Sequence, residues 1–107
     1  MTELHDLELA IHATAVAKGW WDEPRSIAEI LSNIHAEVSE AWECYRDGEM
    51  RTSLKDGKPE GFGVEMADIV IRVVDACQGL GIDLTEALEW KMQYNETRPY
   101  PHGGKRA

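Results

Sequence analysis

Residues 26–45 read SIAEILSNIHAEVSEAWECY, and their apolar side chains recur at intervals of three and four. Ile27, Ile30, Leu31, Ile34, Val38, Ala41 and Tyr45 therefore fall on one stripe of a helix with about 3.6 residues per turn. Ser26 stands at the N-cap position with Glu29 three residues on, the pattern of a capping box. Residues 62–77, FGVEMADIVIRVVDAC, repeat the design, with Phe62, Met66, Ile69, Val70, Val73 and Cys77 on one stripe. Each stripe needs an apolar partner, and no run of alternating β-branched residues competes with the helical period. The chain is predicted to be all-α.

Outward from these two segments, breakers fall at 19–24, 48–63, 79–81 and 99–104, leaving four helical segments and no internal repeat. Thr2 is expected to begin the first helix and Asp83 to cap the fourth. The first carries Leu4, Leu7 and Ile11 on one face and Leu9, Ala13, Val16 and Trp20 on another, which suits packing on two sides, including against a second subunit. Residues 46–60, rich in Gly, Asp, Lys and Arg, read as an exposed, mobile connection. At 107 residues there is one domain, 1–107, and a domain of this size gains from self-association.

Twenty acidic against eleven basic side chains give a formal charge of −9. Such a surface repels nucleic acid and anionic membranes, and it admits a phosphate ligand only with the help of cations. No basic start with an apolar run and no span of about 18 apolar residues is present, so a cytoplasmic protein without membrane partners is expected. Cys44 and Cys77 have neither CxxC nor zinc-finger spacing and read as reduced, buried thiols.

Glu37 and Glu40 form E-x-x-E in the second helix, and Glu65 and Asp68 form E-x-x-D in the third. Side chains three apart share a helix face. On a helical wheel Glu37 and Glu40 lie roughly 80° and 140° from the centre of their apolar stripe, and Glu65 and Asp68 roughly 110° and 170° to the same side of theirs. Two antiparallel helices would bring these flanks together. Four carboxylates without compensation raise one another's pKa, so the arrangement predicts a hard divalent cation. Two merely solvated acidic flanks are the plainer alternative. A di-iron centre is disfavoured, because none of the four histidines has Glu three residues earlier.

In the fourth helix the stripe of Leu84 and Leu88 continues into Lys91, Asn95 and Arg98. Either these side chains meet an anion, or the helix leaves the core after Leu88 and its end is solvated. The tail at 99–106 adds basic groups, Lys105 among them, on a Gly hinge able to close over an anion.

These residues together resemble the MazG-like nucleotide pyrophosphohydrolases of the all-α NTP pyrophosphatase superfamily. The match rests on E-x-x-E at 37–40, E-x-x-D at 65–68 after a glycine-bearing spacer, and Lys91, Asn95 and Arg98; it spans roughly residues 12–105. The resemblance implies a four-helix bundle of antiparallel helices assembled as a homodimer or homotetramer. It implies magnesium, with manganese able to substitute, held by Glu37, Glu40, Glu65 and Asp68, one of the glutamates also orienting or deprotonating the attacking water. A nucleoside triphosphate would be cleaved between its α and β phosphates to a monophosphate and pyrophosphate.

Lys91, Asn95, Arg98 and Lys105 would then bind phosphates. In small deoxynucleotide-specific relatives an imidazole on the first helix and an indole just after it read the base, and His12 and Trp21 occupy similar places. A pyrimidine stacked between flat side chains is the expectation there. The chain departs from some relatives in carrying Arg72 four residues after Asp68, where they have an aromatic residue. Arg72 could pair with Asp68 or reach a phosphate. The rival functional class is a non-catalytic acidic helical dimer, an interaction module whose carboxylates serve solubility alone.

Overall fold

A computed structural model describes residues 3–99. It is mostly helical, with α1 at Glu3–Ala17, α2 at Ile27–Arg46, α3 at Phe62–Gly79 and α4 at Leu84–Thr97. A small antiparallel hairpin, β1 at Ser53–Lys55 and β2 at Lys58–Glu60, lies between α2 and α3. The Ser26 hydroxyl accepts the Glu29 amide at 3.1 Å, and the Asp83 carboxylate accepts the Glu86 amide at 3.0 Å, so both caps read from the sequence are in place. Thr2 and Lys105 lie outside the described residues.

The connection is exposed, as expected, but its residues 53–60 form a hairpin that the sequence reading did not anticipate. Ser53 pairs with Glu60 and Lys55 with Lys58, which leaves Asp56 and Gly57 as a two-residue turn. Both have positive φ, 52° and 79°, the requirement of the tight turn that best matches strand twist. The hairpin is tied to the helices where the Phe62 amide donates to the Glu49 carbonyl at 2.9 Å. Gly61, at φ 120°, passes so close to the Arg51 carbonyl that a β-carbon would collide with it.

Helix α3 is the centre of the structure, with α1 and α2 packed against it. His12 and Glu8 on α1 meet Asp75 and Gln78 on α3, and Glu37 on α2 meets Arg72. Rising numbers on α1 meet falling numbers on α3, and Cys44, seven residues after Glu37, lies near Glu65, seven residues before Arg72, so both pairs run antiparallel. Contact on two sides explains why Val74, Asp75 and Ala76 are all buried although they are consecutive.

The buried seam of α2 is rotated from the expected stripe. Ile30, Glu37, Ala41 and Cys44 are buried, whereas Ile27, Leu31, Val38 and Tyr45 are exposed. The apolar face of α2 is wider than one neighbouring helix can cover, and α3 takes the edge that includes Glu37. Glu37 thus lies in the helix interface rather than on a solvated flank. On α3, Met66 and Val70 likewise remain exposed.

Helix α4 contributes no buried residue, and Trp90, Met92 and Tyr94 are more than half exposed. Its start is pinned by the buried Glu8, which accepts from the Thr85 hydroxyl at 2.8 Å and from the Gln78 amide at 3.2 Å. The radius of gyration, 16.4 Å, exceeds the roughly 13 Å of a compact domain of this length, in keeping with helices whose apolar faces are only partly covered. Among the described residues no helix is long and apolar enough to cross a membrane.

Candidate metal centre

The antiparallel packing of α2 on α3 brings the two acidic pairs together. Carboxylate oxygens of Glu37, Glu65 and Asp68 all lie within 4.8 Å of one another, and the Glu40 carboxyl hydrogen-bonds to Glu37. All four sequence-predicted carboxylates therefore belong to one cluster. Glu40, Glu65 and Asp68 border a cavity of about 370 Å³ whose walls also include Cys44 and, from the hairpin, Lys58 and Glu60, with Glu37 in the helix seam behind them.

Electrostatic strain is visible in three of the four groups. The hydrogen bond that the protonated Glu40 carboxyl donates to Glu37, followed by the charge of Glu37, pushes the Glu40 pKa above its ordinary value, with burial, Glu65 and Asp68 adding to the rise. Glu65 is raised by burial first and then by Asp68 and Glu37, with Lys58 opposing. Asp68 is raised by burial and by Glu37, with Arg72 and Lys58 opposing. Burial and nearby carboxylates also push the Cys44 thiol up, so it is a poor nucleophile.

Arg72 is the cation that touches the cluster. Its Nε and Nη2 reach the same oxygen, Glu37 Oε1, at 3.2 and 3.1 Å. Its Cζ lies 3.9 Å from the Trp20 ring centroid, which holds the guanidinium flat. Of the two roles expected for it, pairing with Asp68 is replaced by pairing with Glu37. The preference follows from position, because Glu37 is buried in the helix seam beside α3.

The donor set fits a hard divalent cation. It offers only carboxylate oxygens, from two packed helices, and octahedral ligands of magnesium sit about 3–4.2 Å apart, so the cluster needs little closure to gather one ion. Such an ion would reverse the mutual repulsion that raises these pKa values.

The remaining candidates fall elsewhere. Lys91, Asn95 and Arg98 are exposed on α4; Lys91 Nζ and Arg98 Cζ lie 5.0 and 5.7 Å from the Tyr94 ring centroid. Among the described residues no hydrogen bond or ion pair joins these three to the carboxylates, and the solvated reading of the α4 end describes the single chain. His12 and Trp21 do meet, but edge to face, with centroids 5.7 Å apart and planes at 67°. No slot for a base exists between them, so a base could only lie against an outer surface of the pair.

Two participants were missed in the sequence. Asp75 is buried and bonded to both His12 and Trp21; its seven-residue spacing from Asp68 was the available signal. Lys58 is brought to the cavity by the hairpin, and the Asp56-Gly57 pair that makes the turn was the available signal. No family model matches this chain, and neither a curated protein nor a solved structure matches it significantly.

Proposed function

We propose that this protein is a magnesium-dependent nucleotide pyrophosphohydrolase of the MazG-like kind, converting a nucleoside or deoxynucleoside triphosphate to a monophosphate and pyrophosphate. The observation that carries the reading is the convergence of Glu37, Glu40, Glu65 and Asp68 from two antiparallel helices into one cluster, three of them lining an open cavity, with too little positive charge beside them.

Glu37, Glu40, Glu65 and Asp68 would hold magnesium, which supplies charge neutralisation for the triphosphate and acidifies a bound water. Arg72 engages Glu37 Oε1 and so fixes the Glu37 carboxylate beside the other acids. Glu40, exposed at the cavity, would be placed to accept the proton of the attacking water once a cation has displaced the proton it shares with Glu37. The water oxygen then adds to the α-phosphorus as the bond to the bridging oxygen breaks, and pyrophosphate leaves. No side-chain nucleophile is required for such a transfer.

The working unit in this reading is a homodimer or homotetramer. Ile27, Leu31, Val38, Trp42 and Tyr45 form an exposed row along α2, and Trp90 and Tyr94, four residues apart, an exposed pair on one face of α4. Contiguous apolar surface of this kind marks an interface. Assembly through it would complete the helical bundle, and it gives Lys91, Asn95 and Arg98 a route to phosphates that one chain lacks.

The test is the identity of the product. A panel of ribo- and deoxynucleoside triphosphates should release pyrophosphate, not orthophosphate, with magnesium and not after chelation. Absence of pyrophosphate across the panel, or release unchanged in both Glu40→Gln and Asp68→Asn, overturns the proposal. The non-catalytic dimer would instead show no magnesium or nucleotide binding by calorimetry.

A further inference from the structure

Arg72 follows Asp68 by four residues and Glu65 by seven, so it sits on the acidic face of α3, one turn beyond the pair. Its Nε and Nη2 both reach Glu37 Oε1, and among the described residues no other lysine or arginine forms an ion pair with the four acids. The charge reaches past this contact, since it also opposes the rise in the Asp68 pKa.

The guanidinium is seated from its other side by the end of α1. Gly19 has a φ of 87°, the Trp20 amide donates to the Ala15 carbonyl at 3.1 Å, and the Gly19 amide donates to the Val16 carbonyl at 3.1 Å. These are the paired bonds of a glycine-terminated helix. The turn lays the Trp20 indole against Arg72, whose Cζ is 3.9 Å from the ring centroid, where the ring quadrupole attracts a cation. Arg72 is thus clamped between Trp20 and Glu37, with a quarter of its side chain exposed.

Packing in the seam, where its side chain is 11% exposed, already confines Glu37. Arg72 adds an orienting bond and a unit of positive charge. A neutral donor could supply the bond; the charge is what only a cation brings. That charge has the sign of the metal that the cluster is proposed to hold, so it repels a lone divalent ion entering beside Glu37. It attracts the phosphates of a polyphosphate that enters with the ion.

We propose that Arg72 is the resident counter-ion of the centre and makes metal loading depend on the polyphosphate: its fixed charge on Glu37 weakens the binding of magnesium alone and strengthens the binding of a triphosphate in the presence of magnesium. Metal and triphosphate then favour each other's binding by the same factor. The inference rests on the proposed function for its ligands, magnesium and a triphosphate; the ion pair and the stack stand without it.

The experiment separates charge from hydrogen bonding. In Arg72→Gln the amide nitrogen is as many bonds from the backbone as Arg72 Nε, so a donor to Glu37 is kept while the charge is lost. Calorimetry at low salt should show magnesium alone binding about tenfold more tightly to Arg72→Gln than to wild type, the effect of a unit charge close to a divalent ion in a water-like dielectric. Inorganic triphosphate, the anion common to all nucleoside triphosphates, should bind the variant several-fold more weakly in saturating magnesium. Arg72→Lys keeps the charge and should stay within about threefold of wild type for both ligands.

Magnesium affinity unchanged or lowered in Arg72→Gln, triphosphate affinity unchanged or raised, or the same response from Arg72→Lys overturns the proposal. A merely structural role for Arg72 would weaken both ligands together. In the wild-type protein, where no variant has to fold, magnesium should bind more tightly when triphosphate is present, and independent binding of the two overturns the proposal as well. Absence of pyrophosphate release from nucleoside triphosphates with the opposed shifts intact would instead sink the proposed reaction alone. Magnesium binding by neither protein would remove the metal centre and this inference with it.

Discussion

At one end of α3 a single carboxylate, Asp75, gathers His12, Trp21 and Arg25; two turns away, four carboxylates share Arg72 and the more distant Lys58. Both ends are interfaces between α3 and a neighbouring helix, and both bury an acid. Asp75 has more donors than it needs, and the stability of its surroundings depends on the charge. The Glu37 cluster has more charge than the protein can neutralise, and its geometry makes sense when a cation arrives from solution. A paired acid and a crowd of acids are thus distinguished by their partners, not by their burial.

The sharpest way to break this contrast is to remove the acid at each end. Asp75→Ala leaves the Trp21 N–H and Arg25 without their acceptor and should cost about 3 kcal/mol, read by urea denaturation. Glu65→Gln should instead raise the melting temperature of the metal-free protein, because it deletes a repelled charge. If both substitutions destabilise alike, the cluster is an ordinary structural network.

Activity should show the reverse dependence. Asp68→Asn keeps the size of the side chain but weakens a cation ligand, and pyrophosphate release should fall on the order of 100-fold or more. A wild-type-to-variant ratio unchanged when magnesium is raised tenfold would place the defect outside metal binding.

A smaller effect is expected at the seat of the indole. Gly79→Ala puts a β-carbon into the space of Trp21 and should destabilise by roughly 1–3 kcal/mol, with a change in tryptophan fluorescence. Unchanged fluorescence would mean that Trp21 does not rest on α3 as described.

How much of this was legible in the sequence follows from the range of the interactions. Helices, caps and the two acidic pairs are set by neighbours within four residues, and Ser26, Asp83, Glu37 and Asp68 could be read directly. The hairpin was local too, yet a two-residue Asp-Gly turn between strands of three residues has no hydrophobic alternation to announce it. Which edge of the α2 stripe is covered depends on the angle at which α3 meets it, and this moved Glu37 from an expected flank into the seam. The bonds from His12 and Trp21 to Asp75 span 63 and 54 residues, and nothing local in the sequence pairs them.

The subtlest expected difference between the two ends is their response to pH. Glu40, Glu65 and Asp68 have folded pKa values above their unfolded ones, so between those values the folded chain holds more protons than the unfolded chain. Their penalty on folding is complete above the folded pKa and is relieved as pH falls through it toward the ordinary carboxylate range. Lowering pH from 8 toward 5 should therefore raise the melting temperature of the metal-free protein relative to Glu65→Gln, by a modest amount because these groups are partly screened by water. A bound cation favours the deprotonated carboxylates, so the increment in melting temperature caused by magnesium should be largest at pH 8 and shrink as the cluster takes up protons. Paired melts of wild type and Glu65→Gln across that range, with and without magnesium, separate the cluster from every other carboxylate in the chain. Parallel curves for the two proteins would mean that the four acids do not act as one site.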